Sequence, residues 1–225
     1  MNMTEPIRVA IAGHGNLGRG VLASLRQNPD MTPVAVFTRR DPAGLKLEAP
    51  SLPVVSLDEA ATWRDRIDVM ILCGGSAKDL PEQGPALAGL FNTVDSFDTH
   101  AEIPEHFAAV DAAAREGQTT AVIAGGWDPG LFSIHRLMGE AVLPDGATYT
   151  FWGKGLSQGH SAAVRRVPGV ADAVQYTIPS ETAIERARSG ERPELTTREK
   201  HVRECHVVLE AGADPDVVRE AIVTM

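Results

Sequence analysis

Residues 7–18, Ile7-Arg8-Val9-Ala10-Ile11-Ala12-Gly13-His14-Gly15-Asn16-Leu17-Gly18, decide the fold. The first six form a largely apolar, β-favouring run, glycines follow at the spacing GxGxxG, and Leu17, Val21 and Leu25 then recur on one helical face. The order is strand, tight turn, helix. In such a unit the first glycine permits the turn, the second lets a pyrophosphate approach the backbone, and the third lets helix pack on strand. The helix N-terminus then faces the phosphates.

Working outward, Pro33 precedes a second strand at 34–37, and the intervening helix supplies the crossover that parallel pairing needs. Ser56 and Glu59 stand at capping-box spacing and open a short helix, which leads into a strand at 67–73. That strand is apolar on both faces, which places it centrally. Pro81 starts a helix, 93–95 is a brief strand, Pro104 starts a helix that Gly117 ends, and 119–124 is one more strand. The alternation predicts an α/β fold, a Rossmann doubly wound parallel sheet over residues 1–130. After the turn Gly126-Trp127-Asp128-Pro129-Gly130 come a helix at about 131–142, a strand at 149–152 and a glycine-rich loop. A short helix, a strand at 173–178, a charged helix near 181–189, a strand at 202–209 and a helix from Pro215 follow, predicting a second, α+β domain over 131–225.

Composition narrows the function. With 225 residues, 43% hydrophobic and 23% charged, the chain has the make-up of a globular protein. Its 30 acidic against 21 basic residues give a net charge of −9, so nucleic acid and anionic membranes are not expected partners. No apolar stretch approaches the roughly 18 residues of a membrane span, and the start lacks the pattern of a secretory signal, so a cytoplasmic location is expected. Two cysteines, Cys73 and Cys205, predict no disulfide framework and read as small buried hydrophobes. The seven histidines show no HExxH or paired-ligand spacing, and no metal is expected. Ser133 and Ser161 lack a nucleophile-elbow context.

An NAD-binding unit carries an acid at the end of its second strand, for the ribose 2′-hydroxyl. Here Thr38-Arg39-Arg40 stand instead. Two guanidiniums and a hydroxyl suit a 2′-phosphate, so the cofactor is predicted to be NADP(H). Ligands of open α/β sheets lie at the carboxyl ends of the strands. Those ends read Cys73-Gly74-Gly75-Ser76, Asp95-Ser96-Phe97-Asp98 and Gly125-Gly126-Trp127-Asp128-Pro129-Gly130. Two carboxylates, Asp98 and Asp128, thus reach the rim where a nicotinamide is expected. Paired carboxylates suit an amine that must be held as ammonium and then lose a proton. Trp152 has an indole N–H that can grip a carboxylate, or it simply packs. Arg203, in a β-branched strand, can pair bidentately with a second carboxylate, or it is simply solvated.

The segments RVAIAGHGNLGRGV, VFTRR, ILCGGSAKDLPEQGP, VDSFDTH, GGWDPGLFSIHR, FWGKGLSQGHSAAVRRVPGVADAVQYTIPSE and KHVRECHVV closely resemble the meso-diaminopimelate dehydrogenase family, across essentially the whole chain. The resemblance implies NADP-dependent, reversible oxidative deamination at the D-centre of meso-2,6-diaminopimelate, giving an amino-keto diacid that cyclises to tetrahydrodipicolinate in lysine biosynthesis. It implies a homodimer with a Rossmann domain and a mixed-sheet substrate and dimerisation domain. It assigns Gly13, His14, Gly15, Asn16, Leu17, Thr38, Arg39, Arg40, Cys73, Gly74, Gly75, Ser76, Ser96, Phe97, Asp98, Gly125, Gly126, Trp127, Asp128 and Pro129 to the cofactor. Asp98 and Asp128 fall to the substrate's D-amino group, Trp152 and Gln158 to its D-end carboxylate, and Thr177 and Arg203 to the distal L-end. Family members continue past the point matching Met225, so the second domain and its distal clamp are expected to be incomplete here. Alternative readings are an inactive NADP-binding member of the family and a broader D-amino acid dehydrogenase.

Overall fold

The computed structural model describes residues 5–47 and 51–225. The chain divides into two compact units, residues 1–138 and 139–225.

In the first unit, β1 (Ile7–Ala12), α1 (Asn16–Leu25), β2 (Met31–Thr38), β3 (Val54–Ser56), β4 (Val69–Leu72), α2 (Leu80–Ala88), β5 (Asn92–Asp95), α3 (Ile103–Gly117) and β6 (Ala121–Val122) alternate along the chain. The strands form one parallel six-stranded sheet in the order β3-β2-β1-β4-β5-β6. Strand alternation explains why the apolar runs are unbroken. On β1, Ala10 and Ala12 join Met70, Leu72, Leu80 and Leu87 on one face. Val9 and Ile11 join Leu22 and Leu25 of α1 on the other. Both faces are covered, and each fully buried aliphatic side chain contributes about 1.5–3 kcal/mol. β3 was not expected, because only three residues, Val54, Val55 and Ser56, form it. The expected capping box of Ser56 and Glu59 does not form. The Ser56 hydroxyl accepts instead from the N–H of Asp58, and the segment Leu57–Arg66 winds as a 3-10 helix.

The division falls inside α4 (Leu131–Val142). The second unit then holds β7 (Gly155–Leu156), α5 (Gln158–Val164), β8 (Val170–Pro179), α6 (Glu181–Arg188), α7 (Thr197–Lys200), β9 (His201–Leu209) and α8 (Pro215–Val223). Its three strands pair antiparallel in the order β7-β8-β9. One face of β8 and β9, carrying Ala173, Cys205 and Val207, packs with Val164 of α5 and Val218 of α8. The strand expected at 149–152 is absent: the Tyr149 hydroxyl donates to the Pro193 carbonyl at 2.8 Å, and the Trp152 N–H donates to Nε2 of His201 at 2.8 Å. The Trp152 N–H, which a ladder would need, is taken by a side chain. A capping box does form at α7, where Thr196 and Glu199 bond each other's backbone N–H. Among the described residues, no helix is long and apolar enough to cross a membrane.

One contact joins sequence motif to fold. A Cβ on Gly18 would lie 2.1 Å from the carbonyl oxygen of Gly13. Gly18→Ala is therefore expected to destabilise the chain by about 1–3 kcal/mol, read as a lower midpoint in urea unfolding. An unchanged midpoint would show that α1 does not need this approach.

Candidate functional site

The turn after β1 has the conformation that its glycines permit. Gly13 has φ +98°, and a Cβ there would crowd the Cys73 carbonyl oxygen at 3.1 Å. Gly15 meets open space, and no side chain caps α1. The first N–H groups of a ten-residue helix are thus left for an anion. Asn16 and Leu17 are exposed at the first turn, where the Arg19 guanidinium donates to Oδ1 of Asn16 at 2.6 Å. A hollow of about 410 Å³ collects Gly13, His14, Gly15, Thr38, Arg39, Arg40, Cys73, Gly74 and Gly75, so the three predicted segments meet.

Thr38 is buried, and its hydroxyl accepts from the Arg40 N–H at 3.1 Å. Arg39 lies 2.7 Å from Oδ1 of Asp79, whose other oxygen accepts from the Gly75 N–H at 2.8 Å. Asp79 thereby braces Arg39 against the loop after β4. Sequence reasoning missed it, since an Asp two residues before Pro81 reads as an ordinary helix start. Burial pushes the Cys73 thiol up to about 12, so it stays protonated and unreactive. Cys205 is only half-buried, and its thiol is also pushed up by burial.

The rim beyond β4, β5 and β6 is tied by side chains. The Ser76 hydroxyl oxygen accepts from the N–H groups of Asp98 at 2.8 Å and Thr99 at 3.2 Å, linking two of the predicted segments. Ser96 is half-buried and Phe97 fully buried, so Phe97 supports the rim from beneath, whereas Asp98 is exposed. Among the described residues the Asp98 carboxylate has no ion-pair partner. Asp128 differs. Its side chain is largely enclosed and meets Arg136 of α4 at 2.6 and 3.4 Å, with the Ser133 hydroxyl donating at 3.3 Å. The Arg136 guanidinium holds the Asp128 carboxyl below the usual carboxylate range against the opposing effect of burial. Gly125 donates its N–H to the Asp95 carbonyl at 2.8 Å, and a strand-type bridge joins Gly126 to Gly130 around the cis peptide before Pro129. Trp127 is exposed and stacks on Phe132 at 5.5 Å.

In the second unit, Gly155, Thr177 and Arg203 are register partners across β7, β8 and β9. Thr177 and Arg203 thus lie directly opposite on one sheet face. Arg203 joins His160, Gln175, His201 and Cys205 along a cavity of about 720 Å³. Among the described residues it forms no ion pair with a carboxylate. Its charge reaches both histidines: burial first lowers the two rings, joined by Arg203 at His160 and by Lys200 and then Arg203 at His201. Gln158 opens α5 directly after Ser157, whose N–H donates to the Gln175 carbonyl at 2.9 Å. Trp152 is exposed and lines a separate hollow with Phe151, Gly153 and Pro179, so it is not gathered with Arg203 in one cavity.

Comparison with known proteins bears on this geometry. The chain is 64% identical to the meso-diaminopimelate D-dehydrogenase of Ureibacillus thermosphaericus over 97% of its own length and 67% of that protein's. The chain belongs to the meso-diaminopimelate D-dehydrogenase family. Residues 126–225 match the family model for the diaminopimelic acid dehydrogenase C-terminal domain. Among solved structures, the C. glutamicum DAP dehydrogenase in complex with DAP superposes with a TM-score of 0.89 at 46% identity, covering 99% of this chain and 68% of that one. An engineered D-amino acid dehydrogenase bound to NADP+ superposes with a TM-score of 0.83 at 45% identity, covering 98% and 67%. The chain thus spans about two thirds of the length of these diaminopimelate dehydrogenase relatives.

The pair at the rim makes a pH prediction. Because the folded carboxyl of Asp128 is lowered, its stabilising effect is full above the ordinary carboxyl range and is lost as pH falls through the lowered value. Arg136→Met should remove about 1–3 kcal/mol of stability at neutral pH and return the Asp128 carboxyl upward. Carbon-13 NMR titration of Asp128 checks this; an unmoved titration would show that Arg136 does not set it.

Proposed function

We propose that the chain is an NADP-dependent meso-2,6-diaminopimelate dehydrogenase acting at the D-centre. The observation that carries the reading is that one parallel sheet presents Thr38, Arg39 and Arg40 at the end of β2, in one hollow with the glycine turn, and Asp98 and Asp128 past the ends of β5 and β6. The first group suits a 2′-phosphate and the second an ammonium. The open space at Gly15 and the uncapped start of α1 suit the pyrophosphate between them. Bound NADP+ supplies the hydride acceptor.

The chain's own residues do the rest. Asp128, kept ionised by Arg136, attracts the D-centre ammonium and is a poor base for the same reason. Asp98, with its carboxylate open, takes the ammonium proton that must leave before the C–H bond can give up its hydride. Water adds to the resulting imine and ammonia departs, leaving the keto acid. Arg203 and Thr177 hold the distal carboxylate as cross-strand neighbours. We assign Trp152 and Gln158 to the carboxylate at the D-end, and residues 131–225 to substrate binding and dimerisation. Exposed Leu131, Ile134, Leu137, Met138 and Val142 give α4 an apolar face that supports a homodimer, and the same reading assigns the protein to the cytoplasm.

Purified protein given meso-diaminopimelate and NADP+ should form NADPH, read at the nicotinamide absorbance. No turnover in a sample that binds NADP+ would reject the assignment. Replacing Arg39 and Arg40 by neutral residues should weaken NADP+ binding by about 1.5–3 kcal/mol per lost charged hydrogen bond and leave NAD+ binding nearly unchanged. Equal loss for both cofactors would refute the 2′-phosphate assignment. Sedimentation of the same sample should give a dimer; a monomer at all concentrations would remove the α4 interface.

A further inference from the structure

Asp95, at the end of β5, is an acid with its side chain only 3% exposed. Oδ1 accepts two backbone N–H groups, from Phe97 at 3.0 Å and from Ala124 at 2.9 Å. Oδ2 lies 2.8 Å from Nε2 of His106 on α3, whose side chain is equally enclosed. The imidazole stacks on the Phe97 ring, centroids 4.0 Å apart and 9° from parallel. Its seat exists because residue 84 is glycine: a Cβ there would come within 2.7 Å of the His106 Cε1. Ala124 holds the left-handed conformation at φ 54°, which a residue with a Cβ keeps only when its surroundings enforce it. β6 is only two residues long, so past Val122 the ladder gives way to Asp95, whose carbonyl accepts from Gly125 and whose carboxylate accepts from Ala124.

We infer that Asp95 and His106 are positioning residues for the cofactor's nicotinamide end: a buried His–Asp pair that locks the segments after β5 and β6 together. A buried carboxylate needs its partners, and removing one costs more than an exposed pair would. Asp98 and Asp128 stand three and four residues beyond the clamped positions Asp95 and Ala124. The inference rests on the reading that NADP+ lays its nicotinamide end at this rim, and the test separates the two.

His106→Leu fills the seat but cannot donate; His106→Gln can donate. Hydrogen exchange of the amides at Phe97, Asp98, Ala124 and Gly125 should quicken about tenfold in His106→Leu, the size of one lost charge-assisted hydrogen bond, and return towards the parent rate in His106→Gln. Amides of β1 and β2 should not change. In parallel, NADP+ affinity should fall several-fold more than affinity for 2′-phospho-ADP-ribose, which lacks the nicotinamide. Unchanged exchange at the rim, or equal loss on both ligands, overturns the positioning role. If the parent itself binds both ligands equally, the cofactor placement fails, and exchange alone then decides whether the pair locks the rim. Should His106→Leu not fold, Gly84→Ala, which pushes on the ring from α2, carries the same two readouts.

Discussion

In the first unit, α1 approaches the turn after β1 so closely that Gly18 lies over the carbonyl of Gly13 with no room for a methyl group. Much else depends on it. With helix and strand this near, the turn between them must pass through a positive φ at Gly13, and the start of α1 points into the space above the sheet. The proposed anion site is then a consequence of packing. The apolar faces of β1 hold the arrangement from both sides, through α1 on one and α2 on the other.

Around that fixed point, polar side chains take over where the ladder ends. Asp79 ties Arg39 to the loop after β4, Ser76 ties that loop to the backbone of Asp98, and Asp95 ties the ends of β5 and β6. Each is a short polar group accepting backbone N–H that the sheet no longer satisfies. The same economy separates the two rim carboxylates. Asp128 is paired and held ionised, while Asp98 is left open, so two identical functional groups stand in different environments, and the proposed function gives them different tasks.

The local part of this was legible in the sequence. The glycine spacing, the missing acid at the end of β2 and the three strand ends could be read because each lies within one short segment. Where local reading failed, a tertiary partner had intervened. Tyr149, Phe151 and Trp152 look like strand residues, but the Pro193 carbonyl accepts from the Tyr149 hydroxyl, the His201 ring takes the Trp152 N–H, and the Phe151 ring lies against that same imidazole. Ser56 and Glu59 have the spacing of a capping box, but Ser56 caps at Asp58. Arg136, Asp79 and the Asp95–His106 pair could not be found from spacing, since their partners stand 8, 40 and 11 residues away in the chain. Arg203 could be singled out as an unusual cation in a strand, yet that it stands opposite Thr177 required the register of β8 on β9.

The most direct measurement is a crystal structure of the chain with NADP+ bound. The 2′-phosphate should lie against Thr38, Arg39 and Arg40, and the nicotinamide ring beside Asp98 and Asp128. A ring placed away from both carboxylates, or a phosphate that leaves the two arginines untouched, would contradict the assignment of this site to amine oxidation.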